Sequence, residues 1–308
     1  MLSPITEYRF RCYIKGRFMI VVTGATGQLG RLIVEKLVSR IPVDQVAVSV
    51  RDVRKAQELA ARGVRVRGGD FTDPKSLAHT FEGASQVLLV SSNAAAHGGD
   101  PLAQHRSAID AARSAGARRI VYTSHMAASR SSAFPPMLDH AATEQMLGES
   151  GLAWTALRNG FYAASAMFLL ERGLRTGVFE APADGKVSWT THADLAEAAA
   201  VVLTNEGRYD GPMPPLTAAR ALDFGELCDI ASSVLGRPIR RSTVSEDEMR
   251  AKLVASGMPA PAVAISLGLY RASHNGEFAA VDPTLQKLLG RAPTSMREVI
   301  AEKMGRTA

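Results

Sequence analysis

Gly24, Gly27 and Gly30 fall in the run Thr23-Gly24-Ala25-Thr26-Gly27-Gln28-Leu29-Gly30, directly after an apolar β-branched stretch and directly before a helical pattern. Glycine serves where a chain must turn tightly or let another group approach its backbone. A helix start offers unpaired N–H groups and a partial positive charge. A strand, a glycine turn and a helix in that order form a cradle for a pyrophosphate, the mark of a dinucleotide site. Gly24 suits the tight turn, Gly27 leaves no Cβ between backbone and phosphate, and Gly30 lets the helix lie close to the strand. Thr26, Gln28 and Leu29 share that turn, with Gln28 set to touch the pyrophosphate. The alternative is that the glycines only turn a loop. No Gly-Lys-Ser/Thr follows, which excludes a Walker P-loop.

The second strand ends at Val50, and Arg51 follows it where an NAD enzyme places a carboxylate for the ribose hydroxyls. A guanidinium can hold a 2′-phosphate through a bidentate, charge-assisted contact, so NADP(H) is the expected cofactor. Lys55 or Arg54 adds positive field one turn later. The competing reading leaves Arg51 solvated and makes Asp52 the ribose acid.

The elements that must position these residues are legible from apolar periodicity. Short β-branched runs recur at Met19 to Thr23, Val46 to Val50, Val64 to Arg67, Val87 to Ser91, Ile120 to Thr123 and Trp154 to Leu157. They read as buried parallel strands alternating with helices, two of which open on Asp73-Pro74 and Asp100-Pro101. The expected fold class is α/β, a Rossmann-type doubly wound parallel sheet with a smaller, mostly helical C-terminal substrate lobe. Residues 1–18 read as an N-terminal extension, 19–160 as the NADP-binding domain and 161–308 as the lobe. A helix at 191–204 is expected to return to the first domain. Helices are also expected near 161–174, 223–235, 245–256, 259–272, 283–290 and 294–304.

The chain has 308 residues, 46% of them hydrophobic, enough for one substantial core with a second lobe. Its formal charge of +6 comes from scattered Lys and Arg, without the basic, aromatic-studded block of a nucleic-acid groove. Two cysteines, Cys12 and Cys228, build neither a disulfide framework nor a CxxC zinc site. No apolar run is long enough to span a bilayer, and the first eighteen residues lack the core of a signal peptide. A cytoplasmic protein with no nucleic-acid or membrane partner is therefore expected. His79, His97, His105, His192 and His274 show no HxxxH or HExxH spacing, so no metal site is expected.

Taken together, GATGQLG, SVRD, GGDFTDP, YTS, DHAATEQML and ALRNGFY resemble the NmrA-like atypical short-chain dehydrogenase/reductases. Within that group the likeness is to type 2 NAD(P)H:quinone oxidoreductases and triphenylmethane reductases, and it runs from Met19 to the C-terminus. The resemblance implies that Asp70 and Phe71 flank the adenine and that Ser91, Ser92 and Asn93 line the fourth-strand edge beside the ribose. It further implies that Leu157, Arg158, Asn159 and Gly160 border the nicotinamide. Each has a plainer alternative: Asp70 capping a turn, Phe71 in the core, Arg158 in a structural ion pair.

Ordinary members of the superfamily use a Tyr-x-x-x-Lys pair, and this sequence departs from it. His140 and Glu144 stand one turn apart where that pair would be, so a carbonyl-reductase mechanism is in doubt. His140 could donate a proton to a substrate oxygen, with Glu144 fixing its tautomer; the alternative is a local helix pair. Ser124 and His125 read as lying just beyond the fifth strand, at the carboxyl edge where ligands bind in open α/β sheets. Ser124 either acts there or caps the strand. Phe161 and Tyr162 either wall a planar ring or pack lobe against lobe. The expected function is NADPH-dependent hydride transfer to a quinone or similar electron-poor aromatic acceptor, with a homodimer as one possible assembly. The alternative function is a non-catalytic NADP(H)-binding redox sensor of NmrA type.

Overall fold

The computed structural model describes residues 18–305, so the extension at 1–18 and Cys12 lie almost wholly outside the described residues. Strands β1 (Ile20–Thr23), β2 (Val46–Val50), β3 (Arg65–Gly68), β4 (Gln86–Leu89), β5 (Arg119–His125) and β6 (Ala153–Asn159) alternate with helices. Those helices are α1 (Gln28–Val38), α2 (Gln57–Ala61), α3 (Pro74–Phe81), α4 (Pro101–Ser114) and α5 (Pro136–Glu149). There follow β7 (Phe161–Tyr162), α6 (Ala163–Thr176), β8 (Val178–Ala181), β9 (Trp189–Thr190), α7 (His192–Leu203) and β10 (Gly211–Pro212). The chain continues through α8 (Phe224–Leu235), β11 (Arg240–Thr243), α9 (Glu246–Ala255), α10 (Ala260–His274), α11 (Thr284–Leu289) and α12 (Met296–Lys303).

Seven strands pair in parallel in the order β10-β6-β5-β4-β1-β2-β3. The inner strands β1, β2 and β4 are buried on both faces and read as nearly continuous apolar runs, as a covered parallel sheet requires, whereas the edge strands β3 and β10 are partly exposed. Period-two alternation sends Ile20, Val22, Val46, Val48, Leu88, Val121 and Leu157 to one face, against α1 and α7. Val21, Ala47, Val87, Leu89, Ile120 and Tyr122 go to the other, against α3 and α4. Although α7 follows the first small-lobe segments, it packs beside α1 with Leu195, Ala199 and Val202 in the sheet core. The small lobe has its own core around Phe179, Trp189, Phe224, Leu267 and Phe278, with a parallel β8–β11 ladder.

Asp73 and Asp100 accept the N–H of Lys75 at 3.1 Å and of Ala103 at 3.0 Å, each ahead of a first-turn proline. Several strand boundaries differ from the sequence expectation, and two of the differences bear on the site. The fourth strand stops at Leu89, because the Val90 and Ser91 N–H groups leave the ladder for Thr23 Oγ1 at 2.9 Å and Thr123 Oγ1 at 2.8 Å. The fifth runs to His125, since β6 continues beside it and pairs Ser124 with Arg158 and His125 with Asn159. Ser124 and His125 are thus strand residues, not loop residues. Among the described residues no helix is long and apolar enough to cross a membrane.

Candidate active site

The strand order reverses between β1 and β4, and a crevice opens above the carboxyl ends of the strands at such a point. A cavity of about 840 Å³ lies there. Gly24 turns the chain with φ of +61°, a left-handed conformation that side chains resist. The Gly27 N–H closes the turn on the Gly24 carbonyl at 2.9 Å, and α1 begins at the next residue. A Cβ on Gly30 would stand 2.3 Å from the Gly24 oxygen, so the first turn of α1 presses against the glycine turn itself. The close approach that Gly30 permits is to that turn more than to the strand.

The cavity collects many of the residues expected at the cofactor: Gly24, Thr26, Gly27, Arg51, Asp70, Phe71, Ser91, Ser92 and Asn93. Gln28, Leu29, Gly30 and Lys55 are not in its lining. Leu29 is buried in the sheet-side core, whereas Gln28 and Lys55 are exposed. Sequence reasoning missed Thr23, Ser49, Val50, Gly69 and Thr72, and also Val90, Ala94, His97, Gly99 and Gln104. Thr23, Ser49, Val50, Gly69, Thr72 and Val90 share one signal, position at or just past the carboxyl end of a strand, whereas Ala94, His97, Gly99 and Gln104 come from the connection after β4 and from α4.

Arg51 and Asp52 have different fates. Asp52 Oδ1 accepts the Arg54 N–H at 3.0 Å and Nε–H at 2.9 Å, and its Oδ2 accepts Nη2–H at 3.0 Å. That pairing with Arg54 lowers the Asp52 pKa and satisfies both groups. Neither Asp52 nor Arg54 lines the cavity. Arg51 lines it and has no hydrogen-bond or ion-pair partner among the described residues. Asp70 also lines it while capping a turn, accepting the Thr72 N–H at 2.9 Å and hydroxyl at 2.8 Å. The Thr72 backbone bond chiefly lowers the Asp70 pKa, with a smaller contribution from the charge of Arg51.

A second group gathers where β5 and β6 end against α5 and the small lobe. The Ser124 hydroxyl donates to Glu144 Oε1 at 2.6 Å, and Arg158 donates to both Glu144 oxygens at 3.0 and 2.7 Å. Glu144 therefore faces Ser124 and Arg158, not His140 as its spacing on the helix suggested. The guanidinium is the reason, since a carboxylate that is 8% exposed needs a counter-charge. His140 Nδ1 meets the Tyr122 hydroxyl at 2.7 Å. Burial pushes the Tyr122 phenol pKa up, so it stays protonated, and the tautomer of the neutral His140 ring sets which of the two groups donates. Burial, with the neighbouring His125 and His105, holds the His140 pKa well below its ordinary value, so the ring does not titrate near neutrality.

His125 is buried, with Nδ1 accepting the Ala127 N–H at 3.2 Å and a pKa pushed down to about 3. Its ring meets Phe161 and Phe278 edge-on at 5.3 and 5.6 Å. Phe161 also contacts Trp189 at 5.3 Å, within the small-lobe core. Tyr162 lies against His192 at 4.3 Å. Asn159 is 2% exposed, and its Oδ1 has no partner among the described residues. Leu157 is in the sheet core, and the Gly160 N–H bonds the Leu216 carbonyl at 2.8 Å. A smaller cavity of about 300 Å³ opens over Ala127, Ala128, Ser129, Ser131, Ser132 and Glu277. No group of three or more His, Cys, Asp or Glu among the described residues could hold a metal.

The two groups are joined through His105 on α4. Its Nε2 accepts the Ser92 N–H at 2.9 Å, and its Nδ1 lies 2.8 Å from Thr143 Oγ1 on α5.

Residues 24–206 match the NAD(P)H-binding family. Quinone oxidoreductase 2 of Escherichia coli (strain K12) is 35% identical over 286 residues, spanning 92% of this chain and 98% of that protein. A crystal structure of the E. coli NADPH-dependent quinone oxidoreductase in complex with NADPH superposes with a TM-score of 0.86 at 34% identity. It covers 93% of this chain and 100% of that one. The Citrobacter sp. triphenylmethane reductase complexed with NADP(H) is similar at a TM-score of 0.83 and 35% identity, covering 92% and 99%. Cradle, crevice and relatives agree: the chain belongs to the NAD(P)H-binding family of Rossmann-type oxidoreductases.

Proposed function

We propose that the chain is an NADPH-dependent reductase that passes hydride to a quinone or a similar electron-poor aromatic acceptor. The residues present fit the cofactor: a cavity of about 840 Å³ bordered by a glycine turn at a helix start, with Arg51 in its lining and unpartnered among the described residues. Arg51 would hold a 2′-phosphate, the N–H groups at the start of α1 the pyrophosphate, and Asp70 and Phe71 the adenosine end. Bound NADPH supplies the hydride.

The choice of acceptor rests on one observation, that His140 and Glu144 stand where a Tyr-x-x-x-Lys pair would be and that His140 packs among buried rings at the β5 edge. His140 and His125 are both held neutral by burial, so neither ring is an imidazolium acid near neutrality. A carbonyl needs a positioned proton donor as its oxygen gains charge, and the Tyr-x-x-x-Lys pair that would supply one is absent, whereas a quinone accepts hydride readily and takes its proton from solvent. His140 then orients an acceptor oxygen by hydrogen bonding. Ser124 and Arg158 hold Glu144 away from it, and Phe161 keeps the neighbourhood apolar. The similarity to a quinone oxidoreductase supports the same reading.

The test is NADPH oxidation by the purified protein against a panel of quinones and dyes, beside calorimetric titration with NADPH and NADP⁺. The expected outcome is quinone-dependent turnover. Tight binding of both cofactor forms with no turnover on any acceptor would replace this reading with that of a redox sensor.

A further inference from the structure

We infer that His105, which the proposed chemistry does not use, is a positioning residue that locks the rim of the dinucleotide cavity to the helix bearing His140 and Glu144. The inference rests on the reductase reading, because it assigns His105 a part in setting that reaction's geometry.

Both ring nitrogens are committed. A backbone N–H can only donate, so the Ser92 amide 2.9 Å from Nε2 requires that nitrogen to be bare. In the neutral ring the proton then sits on Nδ1, which donates to Thr143 Oγ1 at 2.8 Å. Thr143, fully buried, gives its own hydrogen to the Asp139 carbonyl at 2.7 Å. Every donor has one acceptor, and the bonds run in one direction from Ser92 through His105 and Thr143 to Asp139. Burial holds the His105 pKa down at about 4, so the direction persists across the neutral range.

The link adds a directed polar connection to the packing of α4 on α5. β4 ends at Leu89, so the rim at Ser91 and Ser92 has left the sheet ladder and is held by side chains. The Ser92 hydroxyl turns back to Gln104 Oε1 at 2.5 Å, one residue before His105 on α4. On the far side, Thr143 precedes Glu144 and follows His140 by three residues, on the same helix. Tyr122 packs edge-on against the His105 ring at 5.4 Å while bonding His140, so the His105 ring also borders the residue that holds His140. An apolar side chain of similar size would fill the space but strand the Ser92 N–H.

The test uses the full chain and three measurements. At pH 7, ¹⁵N spectra of the wild type should place the His105 proton on Nδ1, the less common tautomer of a free imidazole. Thr143→Val, which keeps the shape and removes the hydroxyl, should lower quinone-dependent kcat about tenfold while NADPH Kd moves by no more than about twofold, the scale of one buried hydrogen bond. Thr143→Ser should restore kcat. His105→Leu, which also frees Ser92, should raise NADPH Kd and lower kcat together. An Nε2–H tautomer would overturn the proposal, as would unchanged kcat in Thr143→Val. If His105→Leu does not fold, the spectrum and the threonine pair still decide. If the wild type binds NADPH but reduces nothing, the reductase reading falls; the tautomer and the His105→Leu effect on Kd then decide whether His105 holds the rim.

Discussion

Arg158 grips Glu144 in a two-point ion pair, Nε to Oε1 at 3.0 Å and Nη2 to Oε2 at 2.7 Å, and Ser124 completes the carboxylate's shell. The glutamate is 8% exposed, whereas the arginine side chain keeps 31% of its surface in solvent. Removing the arginine strands a buried charge. Arg158→Leu should cost about 2–4 kcal/mol in urea denaturation, and a double Arg158→Leu, Glu144→Leu variant should recover most of it. A single variant as stable as the wild type would show that Glu144 is solvated.

Arg51 lines the cavity with no hydrogen-bond or ion-pair partner among the described residues, while Asp52 is spent on Arg54. Arg51→Ala should weaken NADPH binding by about 1.5–3 kcal/mol, the range for a lost hydrogen bond to a charged group, and leave NADH nearly unaffected. Equal losses for the two cofactors in calorimetry would remove the NADP assignment.

Gly27 and Gly30 should separate binding from folding. A Cβ on Gly30 meets the Gly24 oxygen at 2.3 Å, so Gly30→Ala must push the turn apart, at a cost of about 1–3 kcal/mol. At Gly27 the nearest atom is 3.3 Å away and the residue borders the cavity. Gly27→Ala should keep the melting temperature and lose cofactor affinity, whereas Gly30→Ala should lose both. A Gly27→Ala protein with full affinity would place the pyrophosphate elsewhere.

His105 and His125 are neutral in the fold, with pKa values near 4 and 3 against 6.5 for an unperturbed histidine. Between those values the unfolded chain binds more protons than the folded one. Stability is therefore complete above about pH 6.5 and falls as the pH drops, by up to roughly 3 kcal/mol for each ring at pH 4. Denaturation curves between pH 4 and 8 should show this slope, and His105→Gln or His125→Gln should flatten it. A wild-type stability constant down to pH 5 would mean that both rings are hydrated.

His140→Ala should lower quinone turnover only modestly, because the neutral ring orients without acting as an acid. A fall beyond ~10⁴-fold, above the usual acid–base contribution, would show that His140 transfers a proton in the rate-limiting step.

The cradle and the fold class were readable because both depend on short-range rules. A glycine turn between a strand and a helix spans eight residues, and a fully covered parallel sheet writes itself as repeated β-branched runs. The β-edge position of Arg51 follows from the same local counting. Local counting was misleading at His140 and Glu144, where helix spacing pairs two residues that the fold separates. Long-range partners decide there: Tyr122 on β5 takes the histidine, and Arg158 on β6 takes the glutamate.

By itself the sequence determined the layered architecture, the pyrophosphate turn and the basic residue at the second strand end, all of them consequences of periodicity and backbone permissiveness within a few turns of chain. Only the tertiary structure decided which partners the buried histidines meet, which acid meets which base, and that Asp52 is occupied by Arg54 while Arg51 lines the cavity. Those outcomes depend on burial and on hydrogen-bond partners brought together from distant strands and helices, and a buried polar group takes its protonation state from that company.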